Sequence, residues 1–361
     1  MSMKRESVGT DGNVQLLPLF PEIDEDTEFY TYHAPQGLLS ATQFTQPALT
    51  LMELAIFADL QAKGLISERS SYAGHSLGEY AALGAVGKIF SVESLVQVVF
   101  YRGLLMQFAV ERDDRGQSDF RMCAVDPSRV CAGRCSRLDA SGRLDLVLTH
   151  MDSLGFDQAA LQLVVETIAA ETGQLLQIVN FNVAGLQYVC AGQASLSDSC
   201  VLPCSLANSQ QVQPLRCLKS VLDHINATAA STLPSNVLSP DQLTSLVKSQ
   251  VATTQTNTAL TRGCATIPLK GIDIPFHSSH LLPGVPGFRR CLLDLIDRHA
   301  LDPKRLVGKY VPNLTARPFQ LTKEYFEMVK DLTGSVALGG VLNEVSYCFV
   351  SVDIVEAMLM L

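Results

Sequence analysis

Several features that would assign this 361-residue chain to a broad class are missing from it. It has no excess of positive charge. The 27 Lys and Arg against 36 Asp and Glu give a formal net charge of −9. The basic face that nucleic-acid binders present is therefore not expected, and an anionic substrate must be held by a few local cations. The N-terminal MSMKRESVGTDG carries basic residues with no apolar run after them, so it does not read as a secretory signal. No stretch reaches the roughly 18 uninterrupted apolar residues of a membrane span. The C-terminal SYCFVSVDIVEAMLML comes nearest, and Asp353 and Glu356 interrupt it. The ten cysteines include no CxxC pair and no paired Cys/His spacing. Cys131 with Cys135, and Cys200 with Cys204, read as free thiols of a reducing compartment rather than metal ligands or disulfides, and a cytoplasmic location follows. There is no internal repeat.

What is present is a chain 47% hydrophobic, long enough for one large α/β domain carrying a second, smaller one. Residues 1–40 show little periodicity. QPALTLMELAIFADLQAKG predicts a helix with Pro47 at its start and Gly64 as its stop. SSYAGHS predicts a short strand into a turn, LGEYAALGAVGKI a helix, and SVESLVQVVFYRGLLMQFAVE a long helix capped by Ser91. From FRMCAV to CATIPL the order is β-α-β-β-α-β, the pattern of a ferredoxin-like split unit. The expected organisation is a discontinuous core of residues 1–120 and 271–361 with a small subdomain of 121–270 inserted in it. The Ser/Thr-rich segment 231–262 reads as loop, and the core resumes with GIDIPFHSSHL, a helix near GFRRCLLDLIDRHA, the strand KYVPNLT and the helix KEYFEMVKDL.

Residues 74–78, GHSLG, match the nucleophile elbow G-x-S-x-G, in which a strand turns sharply at the serine into a helix. The turn exposes the Ser76 hydroxyl, its tight packing calls for the glycines, and the Leu77 N–H becomes one donor to a developing oxyanion. The competing reading is a glycine-rich strand-to-helix turn of no chemical consequence. A serine needs a base to take its proton, and seven histidines compete. His75 adjoins the serine, but consecutive side chains point apart, so it is a pocket-lining candidate. His33, His150, His224 and His299 fall in loop or polar-helix contexts and read as surface residues. His277, in IPFHSSH, follows an expected strand at the mouth of a loop, and His280 is its rival three positions on. Spacing alone does not separate those two.

AGHSLGEYAAL with VVFYRG and PFHSS resembles the malonyl-CoA:acyl carrier protein acyltransferase family. The run from GLLSATQFTQPALTLME through KYVPNLTARPFQLTKEYFEMVKDLTGS resembles one branch of it, the malonyl/palmitoyl transferase domain of the fungal fatty acid synthase β subunit, over roughly residues 25–335. The resemblance is weak at 130–155 and 195–260. It implies an α/β-hydrolase-like large subdomain with a parallel sheet plus the inserted ferredoxin-like unit. It also implies Ser76 as nucleophile, His277 as its base and Arg102, 26 positions after the serine (102 − 76), as the binder of a malonyl carboxylate. A guanidinium suits a planar carboxylate through two parallel charge-assisted bonds, whereas an arginine on a helix is ordinarily a solvated surface residue. By the same resemblance Phe276 narrows the pocket against α-branched acyl groups and Gln46 lies near it, unless Gln46 is only a polar helix cap. Asn313 is a candidate for ordering the loop near His277, but a buried structural amide is the expected reading. The implied substrates are malonyl-CoA and other acyl-CoA thioesters, with acyl transfer to the phosphopantetheine thiol of an acyl carrier protein. No cofactor is expected on this chain, no nucleic acid and no membrane, and further fatty acid synthase domains or subunits are the expected partners.

The chain departs from the family in three places. The G-Q-G-S-Q loop that supplies a second oxyanion donor is not found in residues 1–45, and one lost donor costs about 3 kcal/mol of transition-state stabilisation. A core strand would be lost with it, exposing a sheet edge. The stretch Ala194 to Val212 and the end from Val336, VALGGVLNEVSYCFVSVDIVEAMLML, match nothing expected there, which suggests a fragment. Three other readings stay open. One is the β subunit of a specialised synthase making a short acyl chain for secondary metabolism. Another is a serine esterase, against which the lack of an HGGG-type loop counts. The third is a truncated, inactive paralogue serving assembly or carrier docking.

Overall fold

A computed structural model of the chain describes residues 4–8, 14–18, 26–31, 37–87, 90–113, 116–130, 156–194, 213–231, 238–254, 260–296, 302–335, 338–339 and 342. His33, His150, His299, Cys131, Cys135, Cys200, Cys204, the stretch 195–212 and the C-terminal 343–361 lie outside them. By contacts the chain divides into two compact units, Met1–Ala109 with Pro283–Leu361, and Val110–Leu282.

The first unit begins with an antiparallel hairpin of β1 (Lys4–Val8) and β2 (Val14–Pro18). No alternation of apolar and polar residues announces it in the sequence. Helix α1 (Thr42–Ala62) starts five residues before the expected Pro47 (47 − 42), which lies inside it and offers no N–H to the Gln43 carbonyl. Strand β3 (Tyr72–Ala73) leads through a turn to α2 (Leu77–Ala82), and Leu83–Gly87 continue it as one wider π turn rather than as more α-helix. Helix α3 (Val92–Phe108) starts at Ser91, whose hydroxyl accepts the Ser94 N–H at 3.1 Å.

Its apolar face, including Leu95, Val98, Val99 and Leu104, is fully buried with Leu83, Tyr310 and Phe319. A Cβ at Gly103 would sit 2.6 Å from the Thr42 carbonyl oxygen and 2.7 Å from Gln43 Cα, so only glycine lets α3 lie so close to the start of α1. After Pro283 come α7 (Val285–Leu295), β8 (Tyr310–Val311) and α8 (Lys323–Thr333), which ends on Gly334 in the left-handed conformation. β8 pairs parallel with β3.

The second unit holds a four-stranded antiparallel sheet, in spatial order β5-β6-β4-β7, made of β4 (Phe120–Val125), β5 (Leu176–Val183), β6 (Gln187–Gln193) and β7 (Thr266–Pro268). Helix α4 (Gln158–Thr172), between β4 and β5, is capped by Asp157 and stopped by Gly173 at φ 64°. Helix α5 (Pro214–Ser231) precedes β7. The segment expected to be loop contains α6 (Pro240–Thr253). Its Ser and Thr content concealed a capping box, in which Ser239 and Gln242 each bond the other's backbone N–H, and Leu243, Val247 and Val251 at helical spacing.

The two faces of the sheet divide by strand alternation. Cys123, Val125, Tyr188 and Cys190 face the core formed by the helices, among them Leu161, Ile168, Leu218 and Val247. Met122, Val189 and Ala191 form a separate cluster with Ile272 and Phe276. Burial pushes the Cys123 thiol up to about 12 and raises that of Cys190 as well, so both behave as small apolar groups.

Ser239→Ala should lower the unfolding free energy by about 1 kcal/mol, and Ser239→Asp should leave it within about 0.5 kcal/mol. Urea unfolding measures both. An unchanged midpoint in the alanine variant would show that the first turn of α6 does not depend on its cap.

Candidate active site

The serine turn is assembled inside the first unit. Strand β3 is fixed beside β8, the Tyr72 N–H donating to the Lys309 carbonyl at 2.7 Å. The chain then reverses at Ser76, whose φ of 54° and ψ of −103° are rare for a residue with a side chain. Gly74 is pressed against the first turn of α2, and a Cβ there would lie 2.1 Å from the Gly78 carbonyl carbon and oxygen. The sequence pattern called for both glycines, but a Cβ on Gly78 would meet nothing within 4 Å. Steric exclusion falls on Gly74 alone. Leu77 is the first residue of α2, so its N–H belongs to a helix start with no earlier helical carbonyl to bond. His75 is exposed beside the serine.

Arg102, on α3, reaches this turn. Its Nη2 donates to Ser76 Oγ at 2.9 Å and its Nη1 to Gln46 Oε1 at 2.8 Å, while its Cζ stands 5.3 Å from the centre of the Tyr80 ring. Gln46 is 5% exposed. Its Nε2 donates to Thr42 Oγ1 at 2.9 Å, and because a guanidinium can only donate, the bond from Arg102 fixes which way the amide faces. Gln46 is thus no helix cap but the seat of the guanidinium, within reach because Gly103 draws α1 against α3. Burial pushes the Tyr80 hydroxyl up to about 12. A planar cation aimed at a serine hydroxyl can bind a carboxylate or favour the alkoxide over the alcohol.

Two residues without an assigned role in the sequence brace the turn from below. Glu79, 8% exposed in α2, accepts the Tyr310 hydroxyl at 2.9 Å and the Asn313 N–H at 2.6 Å, both on Oε1. These bonds tie α2 to β8 and the segment after it. Burial raises the Glu79 carboxyl, against the lowering effect of both bonds and of Arg102. Beside it, burial and the neighbouring carboxylate push the Tyr310 hydroxyl up. Asn313 was expected to be a buried amide. It is exposed, and it acts through its backbone N–H. The signal for Glu79 was an acid in the first helical turn, which is indistinguishable from an ordinary charge favouring a helix start.

Phe276 and His277 belong to the second unit. No strand leads into them, since β7 ends at Pro268 and 269–278 is a chain of turns. Phe276 packs on the face of the sheet with Met122, Val189 and Ala191. His277 is exposed with φ 62°, one of three non-glycine residues with positive φ among those described. His280 differs from it, with its ring 4.6 Å from that of Phe120. His224 is exposed on α5. Of the expected site residues, the structure therefore brings together Ser76, Leu77, Arg102 and Gln46 within one unit, and Phe276 and His277 within the other.

Gly74→Ala should destabilise the protein by about 3 kcal/mol or more, because backbone atoms would have to move. Gly78→Ala should change stability by less than about 1 kcal/mol. Thermal unfolding distinguishes the two, and equal losses would contradict the packing described. Glu79→Gln keeps an acceptor oxygen for both bonds and removes the titration. Because the folded carboxyl is raised, its contribution is fully present below the ordinary value of 4.5 and is lost as pH rises through the folded value. The stability of the wild type relative to Glu79→Gln should accordingly fall with rising pH above 4.5. A pH-independent difference in denaturant midpoints would contradict it.

Residues 30–337 match the family described as "Acyl transferase domain". The chain is 46% identical over 343 residues to the fatty acid synthase beta subunit TOXC of Cochliobolus carbonum, covering 95% of this chain and 14% of that protein. It is 42% identical over 338 residues to the fatty acid synthase subunit beta of Saccharomyces cerevisiae, covering 92% of this chain and 15% of that one. The crystal structure of FabD from Acinetobacter baumannii aligns with a TM-score of 0.44 at 18% identity, over 82% of this chain and 68% of that one. With its serine turn, its seated arginine and this match over most of its length, the chain belongs to the acyl transferase domain family.

Proposed function

We propose that the protein moves malonyl groups, and long-chain acyl groups in the same way, between coenzyme A and an acyl carrier protein in fatty acid biosynthesis. The observation that carries the reading is the Arg102 guanidinium donating to Ser76 Oγ at 2.9 Å in a turn that holds the serine at φ 54°. An esterase acting on neutral substrates has no use for a cation seated there. A transferase that must recognise a free carboxylate beside its nucleophile does.

In the proposed cycle Ser76 Oγ attacks the thioester carbonyl carbon while His277 takes the hydroxyl proton. The Leu77 N–H bonds the oxyanion. When the C–S bond breaks, the proton passes from His277 to the departing coenzyme A thiolate, leaving malonyl-Ser76. The phosphopantetheine thiol of the carrier then gives its proton to His277 and attacks the ester, and Ser76 is regenerated. Arg102, released from the hydroxyl, bonds the malonyl carboxylate and fixes where the carbonyl sits. Phe276 limits the acyl group's width, and Gln46 keeps the guanidinium in place. The first unit is read as an α/β-hydrolase-like core and the second as a ferredoxin-like insertion, a reading the order β5-β6-β4-β7 supports. Relatives about seven times as long support partners in the form of further synthase domains, and the proposed location is the cytoplasm. Among the described residues no helix is long and apolar enough to cross a membrane.

Brief exposure to malonyl-CoA should add one malonyl mass to the intact protein and none to Ser76→Ala. Arg102→Ala should slow malonyl labelling by about 10- to 100-fold, the loss expected for a charged hydrogen bond, and slow palmitoyl labelling much less. Equal labelling of wild type and Ser76→Ala would overturn the nucleophile. Equal malonyl labelling of wild type and Arg102→Ala would overturn the carboxylate role.

A further inference from the structure

The loop that bears His277 is held more tightly than its position among turns requires. The left-handed backbone of His277, at φ 62°, is unfavourable for a residue with a side chain and persists only where the surroundings impose it. On its N-terminal side, the Asp273 carboxylate accepts from both Arg112 Nη atoms, with Nη2 to Oδ1 at 3.1 Å. Arg112 Nη1 also donates to the Gly116 carbonyl at 2.7 Å, and the buried Ser118 hydroxyl donates to the Asp273 carbonyl. On the C-terminal side, Gln177 grips Ser279, two residues beyond the histidine. The Ser279 N–H donates to Gln177 Oε1 at 2.8 Å and Gln177 Nε2 donates to Ser279 Oγ at 2.9 Å. Gln177 itself is fixed in β5, paired with Ala191 of β6. A backbone N–H can only donate, so it determines the orientation of the Gln177 amide. Between the two clamps, Phe276 rests on the sheet.

We infer that Gln177, together with the Arg112–Asp273 pair, is a positioning residue that sets the backbone of His277 for proton transfer, an inference that rests on the proposed reading of His277 as the base. The sheet of the second unit thereby acts on the chemistry without touching substrate. A general base loses rate steeply with small displacements, whereas ground-state binding of malonyl-CoA does not involve it.

The test is single-turnover acylation of Ser76 by malonyl-CoA, followed by intact-protein mass spectrometry, in a double-mutant cycle with His277→Ala. Gln177→Ala should acylate about tenfold more slowly, with the half-saturating malonyl-CoA concentration within about twofold of wild type. Gln177→Glu, which can accept from both the N–H and the hydroxyl of Ser279, should recover most of that rate. Arg112→Lys, which keeps the charge but not the two-pronged contact, should lose a few-fold. In the His277→Ala background neither substitution should lower the rate further. A Gln177→Ala rate within about twofold of wild type would overturn the inference. The same tenfold loss persisting without His277 would also overturn it, since the role would then be structural. Acylation of His277→Ala at the wild-type rate would remove the base itself, a failure of the proposed mechanism that the cycle separates from the other two.

Discussion

A guanidinium held 2.9 Å from a serine hydroxyl by a buried glutamine and an aromatic face is the contact on which the first unit is organised. It needs α1 and α3 close together, which Gly103 permits, and a reversal at residue 76, which Gly74 permits. It also needs the first turn of α2 to stay against β8, which the two bonds to Glu79 Oε1 secure. Each is a polar or steric condition placed on an otherwise apolar core. Burial raises both the Glu79 carboxyl and the Tyr80 hydroxyl, so the site is assembled against a desolvation cost that packing around Leu95, Val98 and Leu104 offsets.

Those conditions differ in how far the sequence exposes them. The elbow was legible because G-x-S-x-G between a strand and a helix is short, local and sterically specific. The cap at Ser91 was legible for the same reason, since it acts within one turn. The arginine was found through resemblance rather than through its surroundings. Nothing local distinguishes Arg102 from a solvated helix residue, and its partners Gln46 and Ser76 lie 56 and 26 positions away. Glu79 carried no reading of its own, because its partners, Tyr310 on β8 and the Asn313 N–H just after it, lie more than 230 residues later. Helix α6 was missed because Ser and Thr were counted as loop formers, while their use as caps and their apolar spacing were not weighed.

The second unit illustrates a different relation between fold and chemistry. Its sheet has helices on one face, and its other face carries the Phe276 cluster. Residues far from one another in sequence, Arg112 in the segment between α3 and β4 and Gln177 on β5, converge on the loop around His277 from its two ends. Sequence spacing left His277 and His280 equivalent. The structure separates them, one in a strained turn between two clamps and the other against Phe120. Long-range tethering of this kind has no signature in a single sequence, because Gln177 alternates along its strand as any half-exposed polar residue would.

The central claim is that Ser76 carries the acyl group with its carboxylate on Arg102. The most direct measurement is a diffraction structure of crystals treated with malonyl-CoA. The account predicts continuous density from Ser76 Oγ into a malonyl ester, with the free carboxylate within hydrogen-bonding distance of the Arg102 guanidinium. An unmodified Ser76 still bonded to Arg102, with the acyl group attached elsewhere or the carboxylate turned away to solvent, would contradict it.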